Sequence, residues 1–536
     1  MNPIIGIDLG TTYSCAAVLE AGRPRVIPNL DGYNTTPSVV TIMKSGDHLV
    51  GHMALRQAVT NPENTIYAVK RLMGKKMSSQ ELQFVAERYP FRLTQAENGD
   101  VVIEAQQFRM SPQEISAFIL KYIKKSAEAF LEAEVRDAIV TVPAHFDDHQ
   151  RQATKDAAKI AGLNVLRVIN EPTAASLAYG LEKQSNSRCA VYDMGGGTLD
   201  VTILEINSGV FHVLATNGDT YLGGEDFDHR LVDWMLDEFS RENGVSLKGD
   251  KLAVQRIKEA SEKAKKHLSF TEETEINLPF IFSDSSGSKH LRRLLTREKL
   301  EELTKDLVKK SIPYLNKAIS DSGLKPEDLD DIILVGGQTR MPLVRRSIRE
   351  FLNKEPNDSM NPDEVVAAGA AIQSAILSGS SISKLLILLD VTPLSLGIET
   401  EHNTFERIIP RNTTIPVREK KPFTTVEHEQ KRVRIHVLQG ESDKASDNTS
   451  LARFDLIGLA PEPAGVPQID VTFGIDADGI VTVTAEDNKT GKEQSVEVRP
   501  SSGLSPEEIH RIIESMVNKE HLADEKIKAD KHESET

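Results

Sequence analysis

Cysteine is almost absent from this chain of 536 residues, which contains only Cys15 and Cys189. Two cysteines cannot build a disulfide framework, and they are too few for a conventional zinc site. Each lies beside a glycine-containing segment described below, and we expect both to be buried as small apolar residues. The composition therefore excludes a disulfide-stabilised or zinc-stabilised scaffold.

An excess of basic residues is also missing, since the formal net charge is −16. Nonspecific binding to nucleic acids or anionic membranes needs a basic surface, so we expect neither partner. Long apolar runs are absent as well. The first run meets Asp8 within a few residues, and residues 385–389 are too few to cross a bilayer. We therefore expect no signal peptide and a cytoplasmic location.

The length and the changing pattern along the chain indicate several domains. A chain of 536 residues is too long for one core, so about two to four domains are expected. Strand-like runs mixed with amphipathic helical stretches predict an α/β fold in the first part, and period-two alternation predicts an all-β fold later. We assign residues 1–380 to the α/β unit, 381–392 to a linker, 393–500 to the β unit, and 501–536 to a helix and polar tail.

Two short segments share one pattern, residues 4–14 (IIGIDLGTTYS) and residues 190–200 (AVYDMGGGTLD). Each contains an apolar strand that ends near an aspartate, followed by a turn of glycine and hydroxyl residues and a second apolar run. The glycines allow backbone N–H groups to approach an anion, and the aspartate at the strand tip suits a hydrated divalent cation. Together, the two segments suggest a duplicated fold that holds the phosphates of a nucleotide from both sides.

Three further positions are candidates for the same site. Lys70 could reach a terminal phosphate, although a lone lysine is more often a solvated surface residue. Glu171 stands where a strand leads into a helix, so it could hold Mg²⁺ or water or simply cap the helix. Residues 336–340 (GGQTR) follow a buried strand and could approach adenine or ribose, or form only a turn.

The chain resembles the DnaK-like members of the heat-shock protein 70 chaperone family, and the matching segments span nearly all of it. These segments are 6–12 (GIDLGTT), 140–144 (VTVPA), 170–175 (NEPTAA), 193–200 (DMGGGTLD), 223–228 (GGEDFD), 335–337 (VGG), 388–397 (LLDVTPLSLG) and 437–441 (VLQGE). The resemblance implies an actin-like ATPase unit built from a duplicated ribonuclease H-like fold, followed by a β-sandwich and a short carboxyl-terminal helix.

The resemblance also implies roles for individual residues. The residues that the resemblance implies in catalysis around the phosphates are Lys70, Asp8, Glu171, Asp193, Asp200 and Thr198. The residues implied to hold magnesium, through water, are Asp8, Glu171 and Asp193. The residues implied to contact ATP or ADP are Gly10, Thr11, Thr12, Tyr13, Gly196, Gly197, Glu262, Lys265, Lys266, Ser269, Gly337, Gln338, Arg340 and Asp363. The spacing of Glu262, Lys265, Lys266 and Ser269 places them on one face of a predicted helix.

In the carboxyl-terminal part, the resemblance implies a cleft for an extended apolar peptide, lined by Ile398, Thr400, Glu401, Phe423, Val426, Val433 and Ile435. The implied partners are unfolded polypeptides, a J-domain co-chaperone and a nucleotide-exchange factor. The implied activity is ATP hydrolysis that controls the affinity for peptide.

Several positions depart from the family pattern. Glu401 stands where an apolar residue usually arches over the peptide, and Val426 stands where a smaller residue is usual. His145 replaces a tyrosine, which predicts altered communication between the domains, and Lys384 replaces an acid before the linker leucines. Residues 501–536 are also too few for a full helical lid, which needs roughly a hundred more residues.

Three other functions use related features. A sugar or glycerol kinase has the same phosphate hairpins, but it has no need of an all-β unit after an apolar linker. An actin-like filament subunit would polymerise rather than bind peptide. A nucleotide-exchange partner related to the same family usually carries long insertions, whereas this chain is short. The β unit and linker favour the chaperone.

Overall fold

The computed structural model describes residues 3–183, 186–285, 287–379, 386–497 and 503–517. Much of the predicted linker, with Lys384, and the polar tail from residue 518 onward lie outside these ranges. The same holds for the predicted boundaries at 380 and 500. The domain limits therefore stay predictions.

Two sheets of matching topology form the α/β part, which we divide into a first half (residues 3–183) and a second half (residues 186–379). In each sheet, an antiparallel hairpin pairs with a parallel strand on one side and with a third antiparallel strand on the other. The first sheet has the order Asn164–Asn170, Asp137–Val142, Ile4–Asp8, Tyr13–Glu20 and Arg23–Ile27, with Thr35–Pro37 beside Tyr13–Glu20. The second has the order Asp331–Val335, Ser187–Met194, Leu199–Asn207, Val210–Asp219, Ile387–Val391 and Thr414–Ile415. The repeated order confirms the duplication expected from the two hairpin segments.

Within the described residues, three smaller antiparallel sheets accompany the two large sheets, two in the first half and one in the second. They comprise Val40–Ile42, His48–Val50 and Thr65–Ile66; Arg92–Gln95, Val101–Ala105 and Phe108–Met110; and Glu273–Asp284 with Gly287–Thr296.

Local capping residues and glycines mark the ends of several helices. Asp147 caps Asp148–Ile160 in a capping box with Gln150, and the helix stops before Gly162, which has a φ of 75°. The alanine-rich helix Val365–Leu377 packs directly on the first sheet, since a Cβ at Gly6 would lie 2.3 Å from Ala371 N. The α-helices of the α/β part are His52–Gln57, Gln80–Ala86, Pro112–Leu131, Asp148–Ile160, Glu171–Lys183, Gly224–Asn243, Lys251–His267, Arg297–Asp321, Pro342–Leu352 and Val365–Leu377.

The carboxyl-terminal part contains two four-stranded antiparallel sheets that share one apolar core, so it is a β-sandwich. The first sheet has the order Thr404–Ile409, Leu396–Thr400, Arg432–Gln439 and Thr449–Ile457. The second has the order Val417–Phe423, Ile469–Ile475, Val481–Asp487 and Lys492–Glu497. A hairpin turn that contains Asp478 and Gly479 connects two of these strands.

The β-sandwich packs against the α/β part in this structure. The end of the predicted linker forms the strand Ile387–Val391, which pairs in parallel with Val210–Asp219 of the second sheet. Asp478, at a hairpin tip, accepts hydrogen bonds from Lys155 Nζ and from the Val168 N–H, each at 3.1 Å. The apolar linker is thus paired with the second half of the α/β part.

The last described segment, residues 506–517, is helical and also packs on the α/β part. Ser505 caps this helix with Glu508, as the sequence predicts. Ile509 is buried in the core of the first half, and the Gly503 N–H donates to Asp100 Oδ2 at 2.6 Å. The helix therefore contacts the first half.

Candidate functional site

The turns of the two hairpins lie directly against each other. A Cβ atom at Gly196 would lie 1.9 Å from Thr12 Oγ1, and one at Gly197 would lie 2.6 Å from Thr11 Oγ1. Only glycine leaves room for this approach, because any side chain would meet the opposite turn. The geometry explains why glycines of the second segment face small hydroxyl residues of the first.

A cavity of about 480 Å³ opens beside these turns, between the two halves. Most of the predicted nucleotide-site residues line it: Asp8, Gly10, Thr11, Thr12, Tyr13, Lys70, Glu171, Asp193, Gly196, Thr198, Glu262, Lys265, Lys266, Ser269, Gly337, Gln338, Arg340 and Asp363. Gly197 and Asp200 lie behind the wall rather than on it. The structure thus brings residues from nearly the whole α/β part to one cavity.

The inner end of the cavity holds several acids and one lysine. Lys70 Nζ forms an ion pair with Glu171 Oε1, and both residues are buried. Burial, followed by the charge of Glu171, raises the pKa of Asp8 to about 7 and that of Asp193 well above its usual range. The same two causes raise the pKa of Asp200 to about 7. The alternative interpretation, in which Lys70 is a solvated surface residue, is therefore wrong.

This charge distribution fits a hydrated divalent cation. One lysine faces several mutually repelling carboxyl groups, so added positive charge would stabilise their ionised forms. Within the described ranges, no three side chains of His, Cys, Asp or Glu converge closely enough to ligate a metal directly. The resemblance implies that Asp8, Glu171 and Asp193 hold the ion through water, and this assignment stays a prediction.

The outer end of the cavity has a different character. Lys266 Nζ lies 3.0 Å from the Tyr13 hydroxyl and pairs with Glu262, while Lys265 Nζ lies 3.0 Å from Asp228 Oδ2. The predicted helical face is wrong at one position, because the helix Lys251–His267 ends before Ser269. Ser269 still lines the cavity from the turn that follows the helix.

The opposite wall of this outer end comes from the second half. Arg340 pairs with Asp363 at 2.8 Å, and the short 3-10 helix Gly337–Arg340 follows a buried strand. Gly337, Gln338, Arg340 and Asp363 thus line this end of the cavity together, and their contacts with a nucleoside stay a prediction.

Comparison with protein-family profiles decides the family. The profile described as Hsp70 protein matches residues 4–536, nearly the whole chain. The chain belongs to the Hsp70 family. Members of the Hsp70 family are ATP-hydrolysing chaperones that use ATP and ADP with magnesium, so the kinase alternative is not favoured.

The Hsp70 resemblance implies peptide contacts in the β-sandwich, and these residues differ in exposure. Ile398 and Ile435 are buried in the shared core, Thr400, Phe423 and Val433 are half-buried, and Glu401 and Val426 are exposed. The two departures from the Hsp70 pattern, Glu401 and Val426, are thus the members of this set that face solvent.

His145, another departure from the Hsp70 pattern, lies between the inner acids and the sandwich. Its backbone N–H donates to Asp200 Oδ1 at 3.0 Å, and burial lowers the pKa of its side chain to about 4. The side chain is therefore neutral near pH 7. Its effect on communication between the domains stays a prediction.

Sequence reasoning missed Arg71, which the Hsp70 fold buries beside the second hairpin. Arg71 Nη2 donates to the Gly197 carbonyl at 2.8 Å and lies 2.5 Å from Asp226 Oδ2. One signal could have pointed to this contact, because Arg71 adjoins Lys70 and Asp226 belongs to the matching segment 223–228. Within the described ranges, no helix of this Hsp70 chain is long and apolar enough to cross a membrane.

Proposed function

We propose that this Hsp70 chain is an ATP-dependent chaperone that binds extended apolar segments of unfolded polypeptides. ATP with magnesium binds the cavity between the halves, and its hydrolysis controls the affinity for peptide. The observation that carries this proposal is the pair of glycine turns facing each other beside one buried lysine and several acids.

The roles proposed for these residues follow from their charge and position. Backbone N–H groups of the two turns and the hydroxyl of Thr198 bind phosphate oxygens, and Lys70 stabilises negative charge that develops during transfer. Glu171 holds Lys70 in place through their ion pair. Magnesium, when bound, neutralises charge on the phosphates. Asp193, whose pKa is raised, is suited to orient water and accept its proton.

The β-sandwich is the proposed peptide-binding part. An extended peptide would gain affinity from main-chain pairing and selectivity from an apolar pocket. Glu401 is exposed beside this proposed cleft, so we propose that peptides with a basic residue next to the apolar segment are favoured. A J-domain co-chaperone and a nucleotide-exchange factor are the proposed protein partners, in the cytoplasm.

Steady-state ATP hydrolysis with and without peptide tests the function. We expect slow basal turnover that rises when an apolar peptide is added, and a lower half-maximal concentration for lysine-flanked than for glutamate-flanked versions. Replacing Glu401 with methionine should remove the difference between the two peptides. Turnover that ignores peptide, or a phosphorylated product from glucose or glycerol, would contradict the proposed function.

Coupling between the halves and the sandwich is proposed to depend on the packed arrangement seen here. Asp148, which is 1% exposed, accepts a hydrogen bond at Oδ1 from the Val481 N–H at 3.1 Å, and its own N–H donates to Gln439. Burial raises the pKa of Asp148 to about 7, against a usual value of 3.8. Separation of the sandwich would expose this carboxyl group and return its pKa toward the usual value.

Acidification is therefore expected to favour the packed arrangement. The packed form takes up a proton at Asp148, so its advantage is lost as the pH rises through about 7. It grows by up to about tenfold for each pH unit between about 7 and the usual value of 3.8, below which both forms are protonated. Energy transfer between dyes on the first half and the sandwich, at saturating ATP, measures this. Asp148→Asn removes the titrating group while Asp147, Arg151 and Asp476 remain nearby. An identical pH dependence in both proteins would rule out this role of Asp148.

A further inference from the structure

Arg71 lies at the point where the first half reaches across to the second hairpin. It belongs to the short 3-10 helix Val69–Leu72, whose apolar members are buried in the first half. Its neighbour Lys70 faces the cavity, while Arg71 itself is buried and does not line the cavity. The neighbouring side chains of Lys70 and Arg71 therefore lie in different environments.

The guanidinium group of Arg71 makes two kinds of contact with the second half. Nε and Nη2 both donate to the Gly197 carbonyl, at 3.1 and 2.8 Å. Nη1 and Nη2 lie 3.4 and 2.5 Å from the two carboxylate oxygens of Asp226. A planar fork of donors can satisfy a carbonyl and a carboxylate at once, which a single ammonium group cannot do in the same geometry.

Asp226 connects this contact to the other side of the same turn. Its Oδ2 accepts the Gly223 N–H at 3.0 Å, and Gly223 packs so closely that a Cβ there would lie 2.6 Å from Gly197 N. The Gly224 and Glu225 N–H groups donate to the carbonyls of Gly195 and Gly196, at 2.9 and 2.8 Å. The second glycine turn is thus held between the segment at 223–226 and Arg71.

We propose that Arg71 is a positioning residue that holds the second glycine turn in the orientation needed to bind nucleotide phosphates. Arg71 binds the Gly197 carbonyl outside the cavity wall, and this contact would keep the backbone N–H of the cavity-lining Gly196 directed toward phosphate. The proposal rests on the proposed function, since it takes the cavity to be the nucleotide site. It predicts an effect on the phosphates and not on the nucleoside.

Nucleotide binding by the full chain tests the proposal with two variants. Arg71→Ala and Arg71→Lys are both expected to release ADP at least about tenfold faster than the parent, the scale of losing a charge-assisted hydrogen bond. Adenosine, which has no phosphate, should bind each variant as it binds the parent. Stopped-flow displacement of a fluorescent ADP analogue and calorimetry with adenosine measure the two effects.

The lysine variant separates positioning from general stability. It keeps a positive charge beside Asp226, so its thermal unfolding should resemble that of the parent while its ADP release stays fast. Parent-like ADP release from Arg71→Lys would show that charge alone is needed and would overturn the proposal. A variant that binds adenosine and ADP more weakly by the same factor would also overturn the proposal. Such a result would indicate that the two halves of the α/β part no longer pack together correctly. A parent that binds no ADP would instead refute the proposed function.

Discussion

Replacing Lys70 with alanine is expected to lower ATP turnover by about a hundredfold or more while ATP binding persists. Lys70 is the lysine at the acidic inner end of the cavity, and loss of one preorganised electrostatic contact in an enclosed site has about this effect. Single-turnover hydrolysis, combined with an independent measurement of ATP affinity, separates chemistry from binding. Glu171 loses its ion-pair partner in this variant, so thermal unfolding should be measured as well.

Lys266→Ala is the matched control for this experiment. Lys266 lines the same cavity, but it contacts Tyr13 and Glu262 at the outer end. Its loss should raise the KM for ATP and leave the maximal rate nearly unchanged. If Lys70→Ala keeps parent-like turnover, or if both variants lose turnover equally, Lys70 has no special part in phosphate transfer.

Replacing both Leu388 and Leu389 with aspartate is expected to abolish the stimulation of ATP hydrolysis by peptide. The two residues pair with Phe211 and His212 of the second sheet, and Leu388 packs on the apolar cluster that includes Phe211. A carboxylate placed on this cluster would lose hydration without gaining a partner, so the strand should leave the sheet. Basal hydrolysis and peptide binding by the full chain should both persist.

Ile387→Asp provides the control within the same strand. Ile387 pairs through its backbone in the same way, but its side chain is 56% exposed. An aspartate there stays hydrated, and peptide stimulation should survive. Persistent stimulation in the double variant would mean that the signal from peptide travels by another route.

The elements that the sequence predicted are those with local signals. The two hairpins follow from an aspartate, a glycine turn and flanking apolar runs, and the start of the last described helix follows from Ser505 and Glu508, three positions apart. The end of the helix at His267 was missed, because the three-and-four spacing continues to Ser269 past the last helical residue. Spacing alone contains no information about where a helix stops.

Long-range contacts of charged residues were the part that the sequence could not supply. Arg71 contacts Gly197 and Asp226 across 126 and 155 residues, and its position next to Lys70 does not identify either partner. Asp478 lies in a hairpin turn, and its contacts with Lys155 and Val168 depend on the packing of the sandwich against the first half. Such pairings depend on tertiary placement, which local propensity does not determine.

The helix at residues 506–517 has only one apolar side, and in this structure that side is already occupied. Ile509 is buried in the first half, and Leu504, Ile512, Ile513 and Met516 pack against the same core. Moving this helix over a bound peptide would require these contacts to break first, at a cost of roughly 1.5–3 kcal/mol for each side chain that is fully buried. The apolar side of this helix could therefore contact a bound peptide only after the helix has left the first half.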